Sequence, residues 1–226
     1  SEEKPLSILL RYDLKTEPKI QFEKNEIILE NNKKIKVGVI GAGNFASSTI
    51  IPILKELKRS CQILGVASSG GLSSEALAKN FKIKNKYQTE DEIFESDEID
   101  AVFVLTQHFN HAELVIRGIN SGKAVYVEKP LAINVDSITK IEEAMYNAED
   151  PKIFLGFNRR FSKASMFIKE KLNASPANAL NFRFSVPKLE RDHWTNIKEI
   201  GGGRVVGEAI HAIDLGTYFF DSLPQS

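Results

Sequence analysis

Cysteine occurs once in the 226 residues, at Cys61, which excludes an internal disulfide and a zinc site built on thiolates. Charge of one sign is not in excess: 30 Lys and Arg balance 30 Asp and Glu. The chain therefore carries no net field to attract nucleic acid or an anionic membrane, and neither is expected as a partner. No run of about 18 apolar residues occurs, and Ser1-Glu2-Glu3-Lys4-Pro5 is too polar to open a secretory signal. Repeats and low-complexity tracts are missing as well. These absences predict a cytoplasmic protein. What is present is an ordinary globular composition with 42% apolar residues. At this length folding buries on the order of 70% of the unfolded surface, enough for a core without covalent staples.

Residues 1–34 carry short apolar runs broken by Pro5, Pro18 and charge, the pattern of a linker or the tail of an upstream domain. From Ile35 the pattern becomes regular. Strands are predicted over Ile35–Ile40, Gln62–Ala67, Asp100–Leu105, Ala124–Val127 and Ile153–Phe157, with a further short one near Tyr87. Helices are predicted over Phe45–Lys58, Ser73–Phe81 with Ser73 as cap, His111–Ser121, Asn134–Asn147 and Ser162–Leu172. Pro52 falls inside the first of these, so a kink or a late start is expected there. Strands alternating with helices at this spacing predict an α/β fold: a doubly wound parallel sheet of the Rossmann type over 35–157. Beyond 157 the style changes to a strand candidate over Ala179–Val186, a polar stretch with the only tryptophan, and a helix over Val206–Phe220. Residues 158–226 are expected to begin a second, α+β domain that is truncated.

Gly41-Ala42-Gly43-Asn44-Phe45-Ala46 has the form G-x-G-x-x-A between a strand and a helix, where the chemistry of dinucleotide binding needs it. Gly41 permits the tight turn, Gly43 lets the backbone approach a pyrophosphate, and small Ala46 allows close helix–strand packing. Asn44 and Phe45 open the helix whose dipole meets the anion. The second strand ends Ala67-Ser68-Ser69-Gly70-Gly71, without the acidic residue that grips the ribose in NAD enzymes. Ser68 and Ser69, with charge from Lys79, would hold a 2′-phosphate; Ser68 alone would serve the ribose hydroxyls of NAD. NADP is narrowly favoured over NAD.

Glu128-Lys129-Pro130 ends a predicted core strand at the edge where open parallel sheets bind ligands. A lysine there can hydrogen-bond a substrate hydroxyl and stabilise developing alkoxide character, although most lysines in such loops are simply surface residues. The four histidines, His108, His111, His193 and His211, lack any metal-ligand spacing, and no metal is expected.

Taken together, the G-x-G-x-x-A turn, Glu-Lys-Pro and Gly201-Gly202-Gly203…His211-Ala212-Ile213-Asp214 resemble the glucose–fructose oxidoreductase / inositol dehydrogenase / MocA-type family. Leu105-Thr106-Gln107-His108…His111 and Gly156-Phe157-Asn158-Arg159-Arg160-Phe161 add to the likeness. Asp192-His193-Trp194 and Gly201–Glu208 are similar to a branch fused behind an alcohol-dehydrogenase-like domain. The resemblance implies NAD(P)-dependent hydride transfer to or from a hydroxyl or carbonyl of a sugar, cyclitol or nucleotide sugar, in polysaccharide biosynthesis. It also implies that Lys129 is the catalytic lysine, that Glu128 and Pro130 flank the nicotinamide, and that Pro130 follows a cis peptide. His211 is the implied proton donor or acceptor, a role suited to an imidazole, whereas a lone helical histidine is more often a satisfied core residue.

One departure matters. Members of the family commonly carry an aspartate one helical turn before this histidine, and Gly207 stands there. Either Glu208 or Asp214 orients the imidazole, or the relay is absent. Thr106 and His108 are expected beside the cofactor, and His111 as a helix-start residue whose ring binds backbone or cofactor. Asp214 is expected beside the substrate; Arg160 contacts substrate or serves as a salt-bridge partner, and His193 and Trp194 line the substrate cleft or anchor a loop. Two further readings stay open: a non-catalytic dinucleotide-binding sensor, and an assembly module whose incomplete second sheet makes it a homo-oligomer.

Overall fold

The structure, a computed structural model, describes residues 33–174, 179–183 and 188–224. Positions 1–32, most of the expected linker, lie outside the described residues. So do positions 184–186 of the strand expected over Ala179–Val186, and positions 179–183 form no strand.

β1 (Ile35–Ile40), β2 (Cys61–Ala67), β3 (Ala101–Val104), β4 (Ala124–Glu128) and β5 (Ile153–Gly156) form one sheet. Their order is β2-β1-β3-β4-β5 and every pair is parallel. Parallel neighbours need crossovers, so all five strands end at the same edge. Val37–Ile40 and Ile63–Ala67 are buried without alternation, because helices cover both faces of central strands. Tyr87 contributes only an isolated parallel bridge to Gly65, where the sequence predicts a short strand.

On one face α1 (Ile51–Glu56) and α2 (Leu72–Asn80) pack over Val37, Val39, Ile63 and Val66. On the other, α3 (Glu90–Glu95), α4 (His111–Asn120) and α5 (Val135–Asn147) pack over Ile40, Val102, Val104, Val125 and Val127. That two-faced cover is the doubly wound arrangement. The regular α-helix starts late, at Ile51, with Pro52 in its first turn, although the chain before it is already helical. The helical stretch begins at Asn44, and the turn Ala46–Ile50 widens to a π turn in which Ile51 N–H reaches back to the Ala46 carbonyl. Proline lacks an N–H and its ring crowds the carbonyl four residues earlier; a widened turn relieves both problems.

Two local differences have simple causes. Ser73 does not cap α2: Gly71, at φ +67°, occupies the cap position, and the Ser73 hydroxyl pairs with that of Ser68 at 2.9 Å. α3 has no counterpart in the expected elements, yet Thr89 and Glu92 cap it reciprocally, Thr89 Oγ1 accepting from Glu92 N–H and the Glu92 carboxylate from Thr89 N–H. Thr-x-x-Glu was its sequence signature.

After β5 come α6 (Lys163–Ala174), α7 (Lys198–Gly201), a π turn over Val205–Ala209, and α8 (Ile210–Phe220). Phe103, Tyr126, Phe154 and Phe161 stack successively at 4.8, 5.7 and 6.1 Å across β3, β4 and β5, with Phe154 and Phe161 open to solvent.

Gly118 marks where α4 presses on the sheet: a Cβ there would lie 2.4 Å from Cγ2 of buried Val125. Alanine is the better helix former by about 1 kcal/mol, but overpacking a core costs about 1–3 kcal/mol. Gly118→Ala is therefore expected to destabilise the chain, lowering the urea midpoint at unchanged slope. A raised midpoint would contradict this account of the packing.

Candidate active site

The site is built at the carboxyl edge of β1, β2, β3 and β4. Gly41 leaves β1 at φ +108°, and a Cβ there would lie 2.5 Å from the Leu105 carbonyl oxygen, so only glycine fits. Gly43 has the opposite surroundings: nothing lies within 4 Å of its Cβ position. Gly43, Asn44 and Phe45 are exposed, while Ala46 is buried against the sheet. The first N–H groups of the helix that follows have no acceptor within it. An open glycine turn leading into free N–H groups fits a pyrophosphate.

Beside this turn, the end of β2 borders a cleft of about 640 Å³ lined by Ser68, Ser69, Gly71, Glu75, Asp91 and Arg117, among others. Lys79 is not part of that lining. Arg117 is held by Asp91 and by Glu90 at 3.6 Å, and its guanidinium lies 4.4 Å over the Phe94 ring.

Lys129 follows β4, and its peptide bond to Pro130 is cis. Its Nζ donates to the Gly207 carbonyl at 2.7 Å, within the π turn ahead of α8. Burial pushes the ammonium below the usual lysine range, against the pull of Glu208 and Glu128. Burial pushes the Glu128 carboxyl upward, although it accepts from Tyr126 Oη at 2.6 Å. Gly156 makes room for that pair, since a Cβ there would lie 2.7 Å from either oxygen.

Three histidines surround the lysine. His108 is buried; its Nδ1 lies 2.8 Å from the Gly201 carbonyl oxygen and its ring meets Trp194 edge-on at 4.7 Å. His111 is wholly buried, between the carbonyls of Thr106 and Pro130. His211, on α8, is buried with Nδ1 lacking any partner among the described residues. Burial pushes both His108 and His211 down to about 4, and the Lys129 charge works in the same direction.

The expected substrate residues divide. Trp194 joins the cluster through His108, and His193 Nδ1 pairs with Thr195 Oγ1 at 2.8 Å. Arg160 and Asp214 engage each other in a two-pronged ion pair in which Asp214 is buried, and the Arg160 guanidinium lies over Tyr218. Neither Asp214 nor Glu208 reaches His211 Nδ1; Glu208 acts through its charge on Lys129 and His108. Sequence reasoning missed Tyr126 and the Gly201 and Gly207 carbonyls. Tyr126 was findable, two residues before Glu128 on one face of a strand; a backbone acceptor has no side-chain signature.

The histidines give a pH dependence of defined sign. Their folded pKa of about 4 lies below the ordinary 6.5, so the unfolded chain binds protons first as pH falls. The stability they contribute is complete above about pH 6.5 and declines towards pH 4. Urea midpoints across that range should fall, and His108→Gln should flatten the slope; an unchanged slope would count against a buried neutral ring.

The family described as "Oxidoreductase family, NAD-binding Rossmann fold" matches residues 35–154. The inositol 2-dehydrogenase/D-chiro-inositol 3-dehydrogenase of Lacticaseibacillus casei is 28% identical over 140 residues, covering 62% of this chain and 40% of that protein. A myo-inositol dehydrogenase from Lactobacillus casei, solved with NAD(H) and myo-inositol, superposes with a TM-score of 0.70 at 24% identity, covering 84% of this chain and 55% of that one. A 3-ketoreductase from Actinomadura kijaniata, solved with NADP, gives 0.70 at 21% identity, covering 83% and 57%. At such identities the solved structures establish the fold, and the chain spans roughly half the length of these relatives. With the open glycine turn and a family match over residues 35–154, the chain belongs to the NAD-binding Rossmann oxidoreductase family.

Proposed function

We propose that this chain carries the cofactor-binding and catalytic half of a cytoplasmic dehydrogenase acting on a hydroxyl or carbonyl of a sugar or cyclitol. The carrying observation is that Lys129, at the strand edge, donates to the Gly207 carbonyl ahead of α8 and acts by its charge on buried His211, whose Nδ1 has no partner among the described residues. A nicotinamide dinucleotide, when bound, supplies the hydride acceptor or donor; Gly41, Gly43, Asn44, Phe45 and Ala46 would hold its pyrophosphate, and Ser68 and Ser69 its adenosine ribose. Thr106, His108, Glu128, Lys129 and Pro130 line the approach to the other end. Lys129, already partly desolvated, steadies negative charge on the substrate oxygen. His211, kept neutral by burial, accepts its proton. His193 and Trp194 border the substrate side, while Arg160 and Asp214 brace α8.

Between the two dinucleotides we favour NAD, against the narrow sequence preference for NADP. Glu75, Glu90 and Asp91 line the cleft beside Ser68, and Arg117, its one lining cation among the described residues, is already paired. A 2′-phosphate would meet an acidic wall. NADH is expected to bind several-fold more tightly than NADPH by nicotinamide fluorescence, and Glu75→Gln with Asp91→Asn to narrow the gap. Tighter NADPH binding would overturn the preference.

A second reading, a dinucleotide sensor without turnover, is favoured by Gly207 at the position where the resemblance expects an aspartate. The two part on mutation. For an enzyme, Lys129→Met and His211→Ala each lower turnover of a cyclitol and hexose panel by about 10²–10⁴-fold, with NADH still bound. Unchanged turnover in both variants removes the assigned roles; NADH binding without any turnover in the full-length protein favours the sensor.

A further inference from the structure

His111 opens α4, and its ring has no exposed surface. Nδ1 lies 2.7 Å from the Pro130 carbonyl oxygen and Nε2 lies 3.1 Å from that of Thr106; the Glu128 carbonyl also faces the ring. These carbonyls belong to the segments leaving β3 and β4, which bring Thr106, His108, Glu128 and Lys129 to the strand edge. A ring so enclosed does not reach a bound cofactor; of the two expected partners, backbone or cofactor, it takes the backbone that surrounds it.

We propose that His111 is a positioning residue: its Nδ1–H donates to the Pro130 carbonyl and locks the Lys129 segment to the segment that follows β3. The lock is a property of this chain; its consequence for cofactor binding rests on the dinucleotide reading above.

Burial lowers the His111 pKa, so the ring is neutral, with one N–H and one lone pair. Several carbonyls compete for that single donor. The 2.7 Å contact takes it, and the Thr106 carbonyl faces the lone pair at the longer distance. Pro130 has no N–H of its own, so its carbonyl is the hydrogen-bonding handle on the backbone just after Lys129. Left without the imidazole donor, a buried carbonyl costs more than an average hydrogen bond contributes.

A ring that only filled space would behave differently from one that donates. Phenylalanine keeps a planar ring, one carbon larger, and loses the N–H; asparagine loses volume but places an amide N–H about where Nδ1 lies. The full chain, labelled with ¹⁵N-histidine, is expected to show His111 at pH 7 with Nδ1 protonated and Nε2 bare. NADH and ADP-ribose, which lacks the nicotinamide, are then titrated into wild type, His111→Asn and His111→Phe. The lock predicts that His111→Phe weakens NADH binding about tenfold, leaves ADP-ribose binding unchanged, and is partly rescued by His111→Asn. A bare Nδ1, or NADH bound by His111→Phe at least as well as by His111→Asn, overturns it. If wild type binds neither ligand, the cofactor reading falls separately, and the nitrogen shifts of the unmodified protein still decide whether the lock exists.

Discussion

One hydrogen bond, from Lys129 Nζ to the Gly207 carbonyl, closes the site. It joins the end of β4 to the turn ahead of α8, across 78 residues of sequence. A half-buried ammonium needs such a partner, and bonds to charged groups contribute about 1.5–3 kcal/mol. The acceptor is backbone, so no side chain at position 207 is required for it. The π turn over Val205–Ala209 also replaces the regular i to i+4 ladder around this carbonyl, a departure that recurs at functional sites. The α7 segment is held at the same edge by a second such contact, between His108 Nδ1 and the Gly201 carbonyl.

Burial acts on Lys129, Glu128, His108 and His211 in a direction set by the charge type of each. It lowers Lys129, His108 and His211 and raises Glu128, since in each case the charged form loses its water. The consequence is a site of weakened bases and a weakened acid, in which both imidazoles are neutral at neutral pH. Neighbouring charges temper this at Lys129, which Glu208 pulls back up, and add to it at both imidazoles, which Lys129 pushes further down.

The sheet was legible because its strands are buried on two faces and so form short apolar runs, and the glycine turn because its geometry admits few residues. Helix ends depended on side-chain caps, and there the reading was uneven. Asn134 caps α5, its Oδ1 accepting from Ser137 N–H, at the residue where the pattern starts. Gly71 caps α2 through backbone conformation, which no hydroxyl announces. α3 was lost because six residues are too few for a periodicity. In the site, side chains near in sequence or sharing a motif could be named, but their partners could not. Helical spacing made Asp214 a candidate to orient His211; only the folded chain brings Arg160, 54 residues earlier, to take that carboxylate. Nor does spacing reveal an acceptor on the main chain, which is what Lys129, His108 and His111 all face.

The only tryptophan of the chain, Trp194, lies edge-on to His108 and alongside His193. An indole in contact with an imidazole loses emission when the ring gains a proton and becomes an electron acceptor. The molecule thus carries its own optical gauge of whether the Gly201 segment is seated on the sheet edge and whether the ring beneath it is neutral. The ultraviolet brightness of a single side chain follows the assembly of the site without any added label.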